Sequence, residues 1–99
     1  MGISVKTLEK NRFSILTDDM EHCYICKKPK EDINEIFMGR NRQNSMKYGL
    51  CIPMCRKCHN KFHQVRAYQL HIMKEAQEAF EKKYSHEEFM QIFRENYKD

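Results

Sequence analysis

The clearest hydrophobic period lies in the last third of the chain. Large or apolar side chains recur there every three or four residues, with smaller apolar ones beside them: Leu70, Met73, Gln77, Phe80 and Tyr84, then Ile72, Ala76 and Ala79. This spacing predicts an amphipathic helix over Arg66–Tyr84, with charged residues on its opposite face. Ser85 and Glu88 form a capping-box pattern, which predicts a second helix running to about Asn96.

Shorter apolar runs predict two strands in the middle of the chain. Ile33–Met38 is rich in β-branched and aromatic residues, and Tyr48–Met54 follows a polar, basic stretch over residues 40–45. Pro53 favours an edge position or the end of a strand, because proline cannot donate to a sheet ladder. Two strands joined by a basic loop are therefore expected here.

The first part of the chain has no clear period. Residues 1–12 are expected to form a loose lead-in with at most a helical turn over Val5–Lys10. The apolar run Phe13–Leu16 suits a short strand or a packed arm. Thr17–Asp19 suits a turn or the N-cap of a helix.

The cysteines carry the strongest chemical pattern. Cys23 and Cys26 form one Cys-x-x-Cys pair, and Cys55 and Cys58 form a second. Each pair brings two thiolates to one ion at about 2.3 Å, so two pairs predict a closed, structural zinc site. Two disulfides or a redox pair are the alternatives. Cys51, the fifth cysteine, lies in an apolar run and is expected to be a small core residue.

Chain length and composition suit one small domain whose core needs a bound metal ion for stability. The chain has 99 residues, and its hydrophobic fraction of 40% includes many Met, Tyr and Cys residues. Such a thin core predicts that metal binding and folding are coupled. The expected single domain, residues 1–99, divides into the lead-in (1–12), a zinc-knuckle finger (13–64) and a helical tail (65–97).

The net charge and the lack of long apolar runs limit the partners and the compartment that we expect for this protein. The net charge is +4, with 12 basic against 7 acidic residues in 1–63 and 6 against 7 in 64–99. Four zinc-bound thiolates would reduce that excess, so charge alone does not indicate nucleic-acid binding. No signal-type run or stretch of about 18 apolar residues is present. We expect a soluble, cytoplasmic monomer in a reducing compartment, without a membrane partner.

The order of these elements is that of a ββα-metal finger. Two strands are followed by a helix that starts at Cys55-Arg56-Lys57-Cys58-His59-Asn60. With the first knuckle and the tail from Ala76 to Tyr97, the chain resembles small phage-borne HNH nucleases with zinc knuckles, over about residues 13–97. The resemblance implies an α+β fold, a zinc-stapled ββα finger followed by two C-terminal helices. It also implies a Mg²⁺ or Mn²⁺ ion in active members.

The first strand departs from the pattern that an active HNH enzyme needs. Such enzymes place a histidine at the end of that strand as the general base, and a helix histidine on the ion. His59 matches the helix ligand, and His63 follows it by one turn. The strand, however, has Asn34-Glu35, and a carboxylate with an ordinary pKa of about 4 is a weak base for water. A shift of the alignment by one or two residues would bring in Asp32 but no histidine.

Three functions follow from this departure. The favoured one is a catalytically degenerate HNH-like protein that binds and inhibits, most concretely an anti-CRISPR inhibitor of a CRISPR effector nuclease. The first alternative is an active metal-dependent DNA endonuclease, with Glu35 and His59 catalytic and a second metal on Asn34, His59 and His63. Asn44 would then be the middle asparagine of the motif.

The second alternative is a plain nucleic-acid-binding module. Six basic side chains of the loop and the following helix form its candidate binding surface: Arg40, Arg42, Lys47, Arg56, Lys57 and Lys61. Lysine and arginine on one face could neutralise several phosphates. An ordinary solvated basic face accounts for the same residues.

Overall fold

A computed structural model gives the structure of residues 4–98. In that range the elements are, in chain order, α1 (Val5–Lys10), β1 (Asp32–Glu35), a 3-10 helix (Gly39–Asn41), α2 (Arg42–Lys47), β2 (Cys51–Met54), α3 (Arg56–Gln64), α4 (Arg66–Lys83) and α5 (His86–Phe93). The described part of the chain is thus a small α+β fold with five α-helices and one two-stranded antiparallel sheet. None of its helices has the length and apolar character that a membrane span requires.

The sheet places β1 beside β2 in antiparallel register. Asn34 lies opposite Ile52, and Glu35 lies opposite Cys51. All four residues of β2 are buried. Pro53 does not interrupt the ladder, because its backbone faces away from β1 and its carbonyl accepts a 2.8 Å hydrogen bond from the Tyr24 N–H. Pro53 therefore lies on an edge strand, as predicted. The first cysteine knuckle (Cys23–Cys26) covers that edge.

The N-terminal apolar run Phe13–Leu16 is a packed arm with a single bridge, between Ser14 and Leu50. It passes closely over Gly49, whose φ is +73°. A Cβ at Gly49 would lie 2.5 Å from the Phe13 ring, so only glycine fits under the arm. Because the chain turns at Gly49, the second strand begins at Cys51 and not at Tyr48 as predicted.

The first strand is shorter than predicted, and a helix follows where a loop was expected. β1 ends at Glu35, and the next two residues turn into the core, where Ile36 and Phe37 are fully buried. The Ser45 hydroxyl donates to the Phe37 carbonyl at 2.7 Å, and the Phe37 N–H donates back to it. That exchange joins the end of β1 to α2, which covers much of the predicted loop over 40–45.

The buried face of α4 is rotated slightly from the predicted one. Gln69 is buried, whereas Leu70 and Tyr84 are 37% and 41% exposed. Two buried glutamines have partners that compensate their burial: Gln69 donates to the Phe62 carbonyl, and the Gln77 carbonyl oxygen accepts from the backbone N–H of Tyr97. Polar side chains with such partners occupy the core face of this helix.

The second predicted helix starts as expected and ends early. The Ser85 hydroxyl caps α5 by accepting from the Glu88 N–H at 3.1 Å. The helix ends at Phe93 instead of near Asn96, because Arg94 takes the left-handed conformation with φ of 64°. Phe89 and Phe93 stack with ring centres 4.7 Å apart and pack, with Phe37, into an aromatic core.

Candidate metal centre

Four cysteine sulfurs converge between the first knuckle and the start of α3. The Sγ atoms of Cys23, Cys26, Cys55 and Cys58 all lie within 4.8 Å of one another, and those of Cys26 and Cys55 are 3.5 Å apart. Four thiolates at about 2.3 Å from a tetrahedral zinc would be separated by about 3.8 Å. The cluster can therefore hold a metal ion, and its donor atoms fit zinc.

Local backbone geometry positions both pairs. In the first knuckle Lys27 takes the left-handed conformation with φ of 68°, while the Cys23 N–H donates to the Lys28 carbonyl at 2.7 Å. In the second, Cys55 is the N-cap of α3, and its sulfur accepts from the Cys58 N–H at 3.4 Å. Each Cys-x-x-Cys pair is thus fixed by its own turn, and the fold only has to bring the two turns together.

The sulfurs share one electrostatic environment. Burial raises the pKa of Cys23, but N–H groups of Cys26, Cys55 and Ile25 stabilise its thiolate and lower the pKa to about 6. Burial and the neighbouring sulfurs of Cys55 and Cys23 raise the pKa of Cys58 to about 12. Without a cation, a negative charge on one sulfur therefore disfavours ionisation of the next. A bound divalent cation would offset this repulsion between thiolates.

The fifth cysteine lies apart from the cluster. Cys51 is fully buried in β2, and burial raises the pKa of its thiol to about 12. All five cysteines are free thiols, so the four clustered sulfurs are not paired as two disulfides. The structure thus places Cys51 in the core, as expected for an inert thiol.

Tyr68 of α4 adjoins the cluster and was not singled out by the sequence pattern. Its hydroxyl is buried and has no hydrogen-bond partner in the described part of the chain. Burial raises the pKa of Tyr68, and the adjacent Cys58 side chain raises it further. Lys61 lies over its ring at 4.7 Å. An O–H donor beside a metal-binding sulfur is a typical outer-shell partner.

A second polar cluster joins β1 to α3. The His59 Nδ1 atom is 3.1 Å from the Asp32 carboxylate, and the His59 Nε2 atom is 3.2 Å from the His63 Nε2 atom. The hydrogen bond from His59 is the main cause of the lowered pKa of Asp32, and Arg56 adds to it. Asp32 is thus the strand residue that contacts His59, and Asn34 stays a predicted ligand of the second metal.

Glu35 and Asn34 have other surroundings. The Glu35 carboxylate accepts a hydrogen bond from the Arg42 Nε atom at 2.7 Å. It also forms an ion pair with Arg12, whose Nε atom is 2.9 Å away. Arg42 also bonds Glu9 of α1. Asn34 is 3% exposed, and its side-chain amide nitrogen has no partner in the described residues. Glu35, the proposed base of an active enzyme, is therefore engaged by two guanidinium groups.

The six basic residues of the predicted surface do not form one free basic face. Arg42 and Arg56 are in ion pairs, with Glu35 and Asp32 respectively. The amines of Lys47 and Lys61 lie over tyrosine rings, those of Tyr48 and Tyr68. Arg40 and Lys57 are exposed. Asn44 donates to the Asn41 side chain at 3.2 Å and weakly to the Ile92 carbonyl, so it ties α2 to α5.

Comparison with known proteins adds no relative. No family model matches the chain, and neither a curated protein nor a solved structure matches it. The α+β fold and the cysteine cluster therefore rest on the structure itself, and the resemblance to HNH proteins stays a prediction.

Proposed function

We propose that this protein is a zinc-stapled, HNH-like finger protein that has lost its nuclease centre and acts by binding a partner. The observation that carries the proposal is the pairing of Glu35 with Arg12 and Arg42. Glu35 stands where the resemblance requires a strand histidine as general base. In the structure, the Glu35 carboxylate is instead occupied by ion pairs with two guanidinium groups. Loss of a well-placed base costs about 10²–10⁴-fold in rate.

The bound metal in this proposal is zinc in a structural role. Four cysteine ligands leave no open coordination position, so Cys23, Cys26, Cys55 and Cys58 would stabilise the fold and perform no chemistry. Five free thiols suit a reducing compartment, and we therefore propose a cytoplasmic location.

A protein partner is favoured over nucleic acid as the bound molecule. Two of the six basic residues on the predicted surface, Arg42 and Arg56, are already in ion pairs with carboxylates. Phosphate contacts need available cations, so this pairing weakens the case for a plain nucleic-acid-binding module. The resemblance to phage-borne proteins makes a CRISPR effector nuclease the first partner to test.

A second function, metal-dependent DNA cleavage, is favoured by one observation. The Nε2 atoms of His59 and His63 are 3.2 Å apart, close to the roughly 3.3 Å expected of two histidine ligands on one tetrahedral ion. Asp32 contacts the other ring nitrogen of His59 and would orient that ring, as carboxylates do for metal-binding histidines. Asn34, buried on the same strand, is a further candidate ligand.

Plasmid cleavage separates the two functions. Wild-type protein of known zinc content is incubated with supercoiled plasmid and Mg²⁺, Mn²⁺ or Ni²⁺, beside His59→Ala and the control His71→Ala. His71 is an exposed histidine on α4, away from the polar cluster. We expect no nicking above background with any ion.

A second assay tests binding to the proposed partner. We expect the wild-type protein to inhibit DNA cleavage when it is added to a susceptible CRISPR effector nuclease.

Two results would contradict the proposal. Nicking that is retained in His71→Ala and lost in His59→Ala would identify an active nuclease centre. Absence of both binding and inhibition across a panel of CRISPR effector nucleases would exclude them as the partner.

A further inference from the structure

The six arginines of the chain differ in whether their side chains have a partner. Four have a carboxylate or amide partner: Arg12 and Arg42 with Glu35, Arg56 with Asp32, and Arg66 with Gln69. The side chains of Arg40 and Arg94 have neither an ion pair nor a hydrogen bond within residues 4–98, and both residues are exposed. They are distant in sequence, yet the fold brings them to the same place.

Arg40 and Arg94 line one pocket of about 220 Å³, between the 3-10 helix and the end of α5. Asn41, Asn44 and Ile92 complete its lining, and no acidic side chain contributes to it. The asparagines are held in place, because the Asn41 amide donates to the Phe93 carbonyl at 3.0 Å and the Asn44 amide donates to Asn41. The pocket therefore combines a fixed polar floor with two uncompensated positive charges.

The backbone at Arg94 allows its side chain to be tested separately from the fold. Its φ of 64° is the left-handed conformation that ends many helices, where glycine or asparagine is preferred. An arginine in that position is strained relative to either. Glycine at position 94 would therefore remove the guanidinium group without straining the backbone.

We propose that this pocket binds a phosphate group. Guanidinium groups form charge-assisted, paired hydrogen bonds with phosphate oxygens, and two of them lining one polar pocket suit an anion with several acceptor oxygens. The site is separate from the cysteine cluster and from the histidine pair, and it does not depend on the function proposed above. The phosphate comes either from a free phosphate-bearing molecule or from the backbone of a nucleic acid.

The first experiment titrates inorganic phosphate into the full, metal-loaded chain and follows backbone and arginine Nε–H signals by NMR. The Arg40 and Arg94 signals should shift saturably. Arg40→Gln and Arg94→Gly should each weaken phosphate binding about tenfold, whereas Lys74→Gln, which removes an exposed charge outside the pocket, should leave it unchanged.

The glycine variant separates binding from folding. Glycine suits the left-handed backbone at position 94, so Arg94→Gly should keep or raise the melting temperature while it weakens phosphate binding. A purely structural role for Arg94, as a cation at the C-terminus of α5, predicts a lower melting temperature and unchanged binding. That result would overturn the proposal. So would phosphate shifts at Arg40 and Arg94 no larger than those at Lys74.

A second arm distinguishes the two sources of phosphate once the first has shown binding. The affinity for a short DNA duplex is measured at several salt concentrations for the wild type and for the double variant Arg40→Gln, Arg94→Gly. If the pocket holds a backbone phosphate, the slope of log K against log salt should fall by about 0.9, the contribution of one phosphate contact. An unchanged slope, or no DNA binding, assigns the pocket to free phosphate groups.

Discussion

Asp32 and Glu35 are carboxylates on the same short strand, and their neighbours give them different chemistry. Asp32 meets the imidazole of His59, while Glu35 meets the guanidinium groups of Arg12 and Arg42. The first arrangement can orient a histidine, and the second neutralises a charge. Which carboxylate is available for chemistry is thus decided by residues from α2, α3 and the N-terminal segment.

Tyr68→Phe tests whether a single hydroxyl supports the cysteine cluster. The substitution removes only the O–H group beside Cys58, so the fold and the melting temperature of the metal-loaded protein should change little. With zinc bound, this O–H group can donate to the Cys58 thiolate. Because outer-shell partners are worth about 10–100-fold in metal affinity, we expect zinc affinity to fall by about tenfold. Competition with a colorimetric chelator measures the affinity.

The matched control for this test is Tyr84→Phe, which removes a hydroxyl from an exposed tyrosine at the end of α4. It should leave zinc affinity unchanged. Equal zinc affinities in wild type, Tyr68→Phe and Tyr84→Phe would show that the Tyr68 hydroxyl does not reach a ligand sulfur.

At the scale of elements, α4 is joined to the C-terminal segment by a polar network around Glu81. The carboxylate accepts hydrogen bonds from Lys98 at 2.6 Å and from the Gln77 amide at 2.8 Å, and it lies 2.7 Å from the His86 ring. Burial raises the pKa of Glu81, but these partners outweigh it and lower the pKa to about 2. The network therefore stabilises the fold only while Glu81 is ionised.

Glu81→Gln should show a defined dependence on pH. The folded pKa of Glu81 lies below its ordinary value of 4.5, so its contribution is complete above that value and is lost as the pH falls towards about 2. At pH 7 we expect a loss of about 1 kcal/mol in the free energy of unfolding, after allowing for solvent screening at the partly exposed partners. The difference between variant and wild type should vanish near pH 2.

Urea denaturation at a series of pH values measures this dependence. Glu78→Gln, an exposed glutamate on the same helix, is the control and should show almost no effect. A constant difference between Glu81→Gln and wild type at every pH would exclude an ionic origin.

The helices of the second half were predictable because their signals are local. The three- and four-residue spacing predicted α4, and the Ser85 cap predicted the start of α5, as the structure confirms. The end of β1 and the presence of α2 were not predictable, because Ser45 fixes them through bonds to Phe37 that no local pattern encodes. Gln69 in place of Leu70 on the buried face has the same kind of cause, a tertiary hydrogen bond.

The candidate site also has features that the sequence predicts and features that only the structure shows. Two Cys-x-x-Cys spacings predicted that four sulfurs meet, and the structure brings them together. The contact of Asp32 with His59 and the pairing of Glu35 with two arginines join residues far apart in sequence. Tyr68 carries no sequence signal, since a tyrosine on an amphipathic helix resembles any core aromatic.

At the scale of the whole molecule, the cysteine cluster brings the first knuckle against the start of α3, and a metal ion held there would join the two. Cys55→Ala should therefore abolish zinc binding and unfold the protein or lower its melting temperature strongly. Cys51→Ala is the control, since it truncates a buried cysteine outside the cluster and should cost only about 1 kcal/mol with zinc retained.

Thermal melts and zinc content measured on the same preparations provide the comparison. Chelation of the wild type should reproduce the melt of Cys55→Ala. A Cys55→Ala variant that melts like Cys51→Ala would exclude a metal-dependent fold.

The hydrogen bond from Tyr24 to Pro53 has a practical consequence. The first knuckle covers the outer edge of β2, together with the arm at Ser14. If the knuckle detaches when metal is lost, the apolar segment Cys51–Met54 presents an unsatisfied backbone edge to other molecules, and such edges recruit further strands. Preparations treated with chelators should then aggregate by intermolecular strand pairing, and purification in buffers free of EDTA should preserve the monodisperse protein.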